Sequence, residues 1–471
     1  LLNVFADARA LSISFMRLLM TDSLCRPEDL ARDALTVRQM SKLKALLGEV
    51  MVGNPFWQER FRSSGLSRDE VLAIDSLAAL QRLPLTSKAD LAADQVAHPP
   101  YGTNLTAASA TYTRLHQTSG TTTGQPMRWL DTPQSWQWFM DCWEQNFRIM
   151  GLRPEDRFCF PFSFGPFIGF WAAFESAVRR GHFCVAGGGM TSEARLRLML
   201  DNRATVVCCT PTYALRLAET AERDGVDLRS SCVRLLLVAG EPGGSVSSLR
   251  QRLEEQWGAR VIDHWGMTEL GALGIECEAS PGGLHVLETE AIAEIIDPAT
   301  GEPVIPDAVG IQRGELVMTN LGRIGSPVIR YRTGDLVEAE PVSCACGRSL
   351  LRLRGGILGR ADDMLIIRGN NVFPASVEAL LREFPEIVEY RITIRTVRSM
   401  HQMRIEIEPG DARDDEAGAA LRERVTHAIK DRFNFVPDVL LADCGSLPRF
   451  ELKGRRIVRE DDRLHAAGSG L

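Results

Sequence analysis

No apolar stretch in this sequence approaches the roughly 20 residues needed to cross a bilayer; the longest, such as Leu235 to Gly240 and Phe158 to Phe164, are far shorter. The first residues hold no basic stretch leading into an apolar core, so a cytoplasmic protein with no membrane contact is expected. Basic excess is also missing. Lys and Arg number 54 against 61 Asp and Glu, a net charge of -7, and nothing in that balance would neutralise a phosphate backbone. Nucleic acid is therefore not an expected partner. Eleven cysteines in 471 residues are too sparse for a disulfide scaffold, and Cys208 and Cys209 sit inside apolar, strand-like sequence, where buried free thiols are expected. What is present is ordinary globular composition, 45% apolar and 24% charged, with enough chain for two or three domains. The chain starts without methionine and carries the small residues Gly468, Ser469 and Gly470 just before its last residue, Leu471, which read as trimmed ends and carry no weight in the fold reading.

The first hundred residues read as helices. Arg38 to Val50 is amphipathic, and Ser67 caps a helix running to Ile74; the segment looks like a cover, not a catalytic unit. From about Thr111 to Gly258 short apolar runs alternate with helices, as in Thr205 to Cys209, then Pro211 to Ala221, then Val233 to Val238. That pattern predicts a mostly parallel sheet, with ligand loops at the carboxyl ends of its strands. Leu284 to Ile295, Gly314 to Thr319 and Val328 to Tyr331 alternate instead, as antiparallel strands do. Beyond Arg360 the chain restarts. Helices over Ala375 to Phe384 and Leu421 to Phe433, with strands at Tyr390 to Ile394, Met403 to Ile407 and Val439 to Ala442, predict a compact α+β unit of about a hundred residues.

Hydroxyls and glycines crowd Thr118-Ser119-Gly120-Thr121-Thr122-Thr123-Gly124-Gln125-Pro126. Glycines let backbone amides face an anion and hydroxyls add donors, although composition alone equally permits a solvated loop. The GK[ST] ending of a Walker A loop is absent. Two further motifs follow in order, Trp265-Gly266-Met267-Thr268-Glu269 and Tyr331-Arg332-Thr333-Gly334-Asp335. Taken with the hydroxyl loop, they make the sequence resemble the adenylate-forming superfamily of acyl-CoA ligases, luciferases and peptide-synthetase adenylation domains. The tract Gly359 to Pro374 and the Cys344-Ala345-Cys346-Gly347-Arg348 turn look more narrowly like the phenylacetate-CoA ligase branch, and Leu447 to Arg456 is similar to the family's final lysine motif.

The resemblance implies an α/β fold with a large N-terminal domain, residues 1–361, of mixed sheets flanked by helices, and a small mobile α+β lid, residues 362–471. It implies ATP, Mg²⁺ and coenzyme A as the partners of the chemistry. A carboxylate must attack the α-phosphate and expel pyrophosphate, a step governed by positioning and charge neutralisation. On this reading Glu269 ligates Mg²⁺ and Thr268 bonds an α-phosphate oxygen. Asp335 accepts the ribose hydroxyls, and Arg360 stands near ribose or phosphate. Trp265 and the turn Ala239-Gly240-Glu241-Pro242 flank adenine, with Asp263, His264, Gly266 and Met267 beside them. Lys453 holds the attacking carboxylate against the α-phosphate, then leaves as the lid swings about Asp362 and the Gly369, Asn370, Asn371 segment lines the thiol path. Singly each residue has a plainer reading: an Asp after Gly is a turn, a Trp is core, a Lys near an end is solvated. Two departures stand out, since the hydroxyl loop has one Thr more than the usual form and Gln125 occupies a position where many members carry Lys.

Cys277, His285, Cys344 and Cys346 offer three thiolates and an imidazole, a set suited to closed tetrahedral Zn²⁺, and a comparable site in some relatives groups them; unrelated thiols are the alternative. For the acid, Phe160 to Trp171 is aromatic and glycine-rich, and Gly187-Gly188-Gly189 follows a strand. The family walls its acyl pocket with these regions, so Phe164, Gly165, Phe167 and Gly188 are the candidate contacts and an aryl acid is the candidate substrate. No Asp lies there to pair an α-amino group. The sequence thus points to an aryl-carboxylate:CoA ligase. Transfer to a carrier protein or an amine, or a silent homologue that only binds, remain the alternatives, and monomer or homodimer stays open.

Overall fold

The computed structural model describes residues 26–118, 126–340, 344–361, 365–367, 370–397, 400–410, 415–450 and 456–461. Ser119, Gly120, Thr121, Thr122, Thr123, Gly124, Asp362, Gly369 and Lys453 lie outside them.

Eleven strands form one sheet, in the order Ala291–Ile296, Gln312–Asn320, Tyr331–Glu340, Arg352–Arg360, Gly283–Val286, Gly271–Ile275, Arg260–Met267, Leu235–Ala239, Val206–Cys209, Arg157–Phe160 and Phe183–Ala186. The two regimes expected from sequence thus share a sheet. From Arg260–Met267 outward through Leu235–Ala239 all pairings are parallel, while Gly271–Ile275 joins its other edge antiparallel. Val206–Cys209 is buried throughout and Leu235–Ala239 nearly so, as parallel strands covered on both faces must be. Their helices start as the sequence signals. Thr210 caps Pro211–Arg223 by accepting from the Tyr213 amide, and Thr132 caps Pro133–Ile149 through Ser135, each with Pro in the first turn. Helix Pro133–Ile149 presents Trp136, Trp138, Phe139, Trp143 and Phe147 to the main core. Leu284 to Ile295, expected as one strand, is split by a turn at Leu287–Glu290, and the strand expected from Val328 begins at Tyr331.

The smaller C-terminal domain has its own sheet, ordered Asp438–Leu441, Met400–Pro409, Ile387–Val397 and Ile457–Asp461. Helices Pro374–Leu381 and Asp415–Phe433 cover it, and its core, which includes Leu365, Leu381, Ile392, Ile405, Val425 and Ile429, is separate from that of the large domain.

The N-terminal helices do more than cover. Helix Arg32–Gly53 docks through Gln39 on the Ala291 carbonyl, and Thr86 pairs with the strand end at Tyr331, its amide donating to Arg330 O and its carbonyl accepting from Arg332 N. Arg330 in turn grips Glu294 and the carbonyls of Gln81 and Leu83.

Arg323 is fully out of water and bidentate on Asp131 at 2.8 Å for both bonds. Burial by itself would raise the Asp131 carboxyl, but Arg323 and His116 outweigh it and hold it below the usual carboxylate range. Breaking a buried pair strands the remaining charge. Asp131→Ala is accordingly expected to destabilise the large domain by about 3–5 kcal/mol, read from denaturant midpoints. Because the folded pKa is depressed, the pair's contribution is complete above the ordinary value of 3.8 and is lost as pH falls below it, which a pH series on both proteins would resolve.

Candidate active site

Five of the loops follow carboxyl ends of parallel strands. Pro161 onward follows Arg157–Phe160, Gly187 follows Phe183–Ala186, Thr210 follows Val206–Cys209, Gly240 follows Leu235–Ala239, and Thr268 follows Arg260–Met267. The two acidic motifs meet at two points. The Trp265 indole donates from Nε1 to Asp335 Oδ2 at 2.9 Å, and the Tyr331 hydroxyl lies 3.5 Å from Glu269 Oε1. Arg360, directly opposite Asp335 in the neighbouring strand, donates to Asp335 Oδ1 at 3.1 Å and to Thr333 O at 2.9 Å.

Two glycines are forced by these approaches. Gly334 has φ +74 and a Cβ there would stand 2.6 Å from Arg360 Nη2, while a Cβ on Gly266 would meet the Gly271 carbonyl oxygen at 2.7 Å. Backbone adaptability is thus fixed where motif residues crowd one another.

Trp265 and Arg360 both donate to Asp335, a carboxylate, which offers about four lone-pair sites. Asp263 is buried, with Ser245 Oγ donating to its Oδ2; burial, only partly offset by that bond, pushes it up to about 7. His264 is buried against Trp143, ring centroids 4.4 Å apart, and burial lowers it to about 4, so its imidazole is neutral near pH 7. Glu241 accepts the Thr212 amide at 2.8 Å. Ala239 ends its strand, Gly240 follows at φ +93, and Pro242 is exposed; Met267 is half-buried at its strand's end.

The hydroxyl loop can be followed at its base. Thr118 closes it, its amide donating to Met127 O and its Oγ1 accepting from Met127 N, both at 3.0 Å. The flanking strands Arg114–Gln117 and Arg128–Asp131 pair antiparallel. Asp131 ends the second, so Arg323 ties the loop's hairpin to the first acidic motif by donating from Nη1 to the carbonyls of Thr268 at 2.5 Å and Glu269 at 3.0 Å. Lys88 enters from the N-terminal segment, its Nζ 3.6 Å from Glu269 Oε1. Arg323, Asp131 and Lys88 were not singled out in the sequence. A charged residue amid Leu321-Gly322-Arg323-Ile324-Gly325 was the available signal.

The acyl-pocket candidates also come together. Phe164 packs on Trp171 at 4.6 Å and on Phe162 at 4.9 Å, within a cluster that includes Phe160, Phe170 and Phe174. Phe167 lies against Gly165, where a Cβ would be 2.7 Å from its ring, and Gly188 lies in contact range of Ser163. The Gln117 amide donates to Pro166 O at 2.6 Å, so the hydroxyl loop's strand abuts this segment. Asn370 and Asn371 lie in the short hairpin strand Asn370–Val372 of the small domain.

Elsewhere on the sheet, Cys277, His285, Cys344 and Cys346 converge, their ligand atoms all within 4.8 Å of one another. Cys277 Sγ is 3.6 Å from Cys344 Sγ, and Cys346 Sγ is 3.4 Å from His285 Nε2. With metal–sulfur bonds of about 2.3 Å, a tetrahedron has edges of about 3.7 Å, close to both separations.

Known proteins share this chain's sequence pattern and fold. A family profile for AMP-binding enzymes matches residues 49–322, and one for the AMP-binding enzyme C-terminal domain matches residues 369–463. The phenylacetate-coenzyme A ligase of Thermus thermophilus is 31% identical over 90% of this chain and 96% of its own, and that of Pseudomonas putida 31% identical over 92% and 95%. Among solved structures, 2-hydroxyisobutyryl-CoA ligase in its postadenylation state with 2-HIB-AMP covers 94% of this chain and 93% of its own at 27% identity and a TM-score of 0.86. The same enzyme in its thioesterification state, at equal coverage and 28% identity, scores 0.69. The chain belongs to the AMP-binding enzyme family, in its phenylacetate-CoA ligase-like branch, and is an AMP-forming acid–thiol ligase.

Proposed function

We propose that this ligase activates an aromatic carboxylic acid, with Mg²⁺ alongside ATP, and delivers the acyl group to coenzyme A. The observation that carries the reading is the junction of Trp265 with Asp335 and of Glu269 with Tyr331, beside a hydroxyl loop whose hairpin is held to the same motif through Arg323. Glu269 supplies a hard oxygen for Mg²⁺, whose charge would offset that of the phosphates. Thr268 bonds the α-phosphate, Asp335 and Arg360 hold the ribose, and Trp265 with Ala239 to Pro242 borders the base. Lys453 orients the carboxylate for attack, then departs as residues 362–471 turn about Asp362 and bring Gly369, Asn370 and Asn371 to the thiol path. The aryl acid is supported by the six-ring cluster around Phe164 against the glycine-rich bend, since ring faces and edges suit another ring.

Phenylacetate, benzoate, 2-hydroxyisobutyrate and octanoate, scored by pyrophosphate release with CoA thioester detected by mass, test the assignment. The aryl acids are expected to exceed the aliphatic ones by about tenfold or more in kcat/KM. Preference for an aliphatic acid, or turnover only with a carrier protein, overturns it. Lys453→Ala is expected to cut acid-dependent pyrophosphate release by about 10²–10³-fold while a supplied acyl-adenylate is still converted to thioester; equal loss of both halves contradicts the moving lid.

The Cys277, His285, Cys344 and Cys346 cluster fits structural Zn²⁺ in ligand type, number and spacing. It joins the end of one strand, the strand Gly283–Val286 and the turn before Arg352–Arg360, so the metal would brace the sheet on the side that carries Arg360. Elemental analysis is expected to find one zinc per chain, and its removal by chelation to lower Tm by about 5 °C or more. Metal-free protein with unchanged Tm rules the site out.

A further inference from the structure

Arg456, three residues beyond Lys453, bridges the two domains. Its Nη1 donates to Thr212 Oγ1 in the large domain at 3.0 Å, and its Nε and Nη2 grip Glu389 of the small domain at 2.5 and 2.9 Å. All three residues are buried, with Arg456 only 6% exposed. The guanidinium is sandwiched near Tyr390 and Phe450, 5.3 and 5.4 Å from their ring centroids, and the Arg456 carbonyl accepts the Ile392 amide at 2.7 Å where the strand Ile457–Asp461 begins. Side chain and backbone are therefore both fixed, unlike those of an arginine anchored at a solvated surface.

On the other side of the bridge, the Thr212 amide donates to Glu241, in the loop assigned to adenine. A continuous line of contacts runs from that loop through Thr212 and Arg456 to the start of the strand nearest Lys453 in sequence. Three residues of chain span at most about 11 Å, so fixing Arg456 confines where Lys453 can be. Glu389 and Arg456 belong to the same domain and travel together. Thr212 does not, so the Arg456–Thr212 bond exists in one domain orientation only. The domain arrangement described here is the one that overlays better on the postadenylation-state relative than on its thioesterification state.

We propose that Arg456 is a positioning residue that, through its bond to Thr212, holds the small domain in the adenylation orientation and thereby sets Lys453 against the nucleotide. This rests on the ligase reading above. It predicts an asymmetry between the half-reactions that a merely structural arginine would not produce.

Thr212→Val removes the acceptor oxygen and leaves the Arg456–Glu389 pair intact. With phenylacetate as probe, pyrophosphate release is expected to fall about tenfold, as loss of one charge-assisted hydrogen bond implies, while thioester formation from supplied phenylacetyl-adenylate and CoA stays within about twofold. Equal loss in both halves, loss confined to thioester formation, or no change in either overturns the proposal. Arg456→Lys, which keeps the charge but not the fork, is expected to show the same split. If the wild-type protein releases no pyrophosphate with phenylacetate, the acid assignment has failed and amide hydrogen exchange decides this proposal alone. Thr212→Val should then speed exchange across residues 387–394 by about threefold or more while residues 403–407, in the same small sheet, keep wild-type rates. Unchanged exchange in both segments, or equal acceleration in both, overturns the proposal.

Discussion

A guanidinium withdrawn entirely from water needs its partners inside the protein, and Arg323 finds them on two separate stretches of chain. Its two bonds to Asp131 fix the end of the hairpin that flanks the hydroxyl loop, and its remaining donors fix the carbonyls of Thr268 and Glu269. The aromatic faces of Trp129 and Phe139 close over it at 5.0 and 4.9 Å. One desolvated charge thereby holds the hairpin strands on either side of residues 119–125 and the acidic motif in a common frame, and a frame of that kind is what transfer at phosphorus needs from a protein.

The same site lies at a seam. Strand Arg260–Met267 has a parallel neighbour on one edge and an antiparallel one on the other. Parallel neighbours bring loops to one end of the sheet, and the four antiparallel steps from Arg260–Met267 to Tyr331–Glu340 return the second strand in the same sense as the first. Trp265 belongs to the seam strand and Asp335 to the antiparallel half, and the indole–carboxylate bond joins the two.

Much of this was legible in the sequence. The motifs around Trp265, Glu269 and Asp335 could be picked out because, with the hydroxyl loop, their order resembles that of the adenylate-forming superfamily, and the switch from continuous apolar runs to alternation marked the change of strand direction. Ser67 announced its helix because an N-cap needs only local sequence. Arg323, Lys88 and Thr212 carried no comparable mark. Each is a single common residue whose meaning comes from a partner far away, 192 positions for Arg323 with Asp131 and 244 for Thr212 with Arg456. The four zinc-type residues were grouped in the sequence only through resemblance to relatives, since spacing alone does not unite them; pairing of Gly283–Val286 with Arg352–Arg360 brings the two halves together.

The pairing of Thr86 with Tyr331 has a consequence for how the chain is made. A growing polypeptide cannot pair Thr86 with its strand until residue 332 has left the ribosome, because the early segment closes on Arg330 and Arg332. Until then the N-terminal segment lacks this backbone partner, and contacts of such long separation form slowly. Nascent molecules would therefore be most vulnerable to aggregation during synthesis of the middle third.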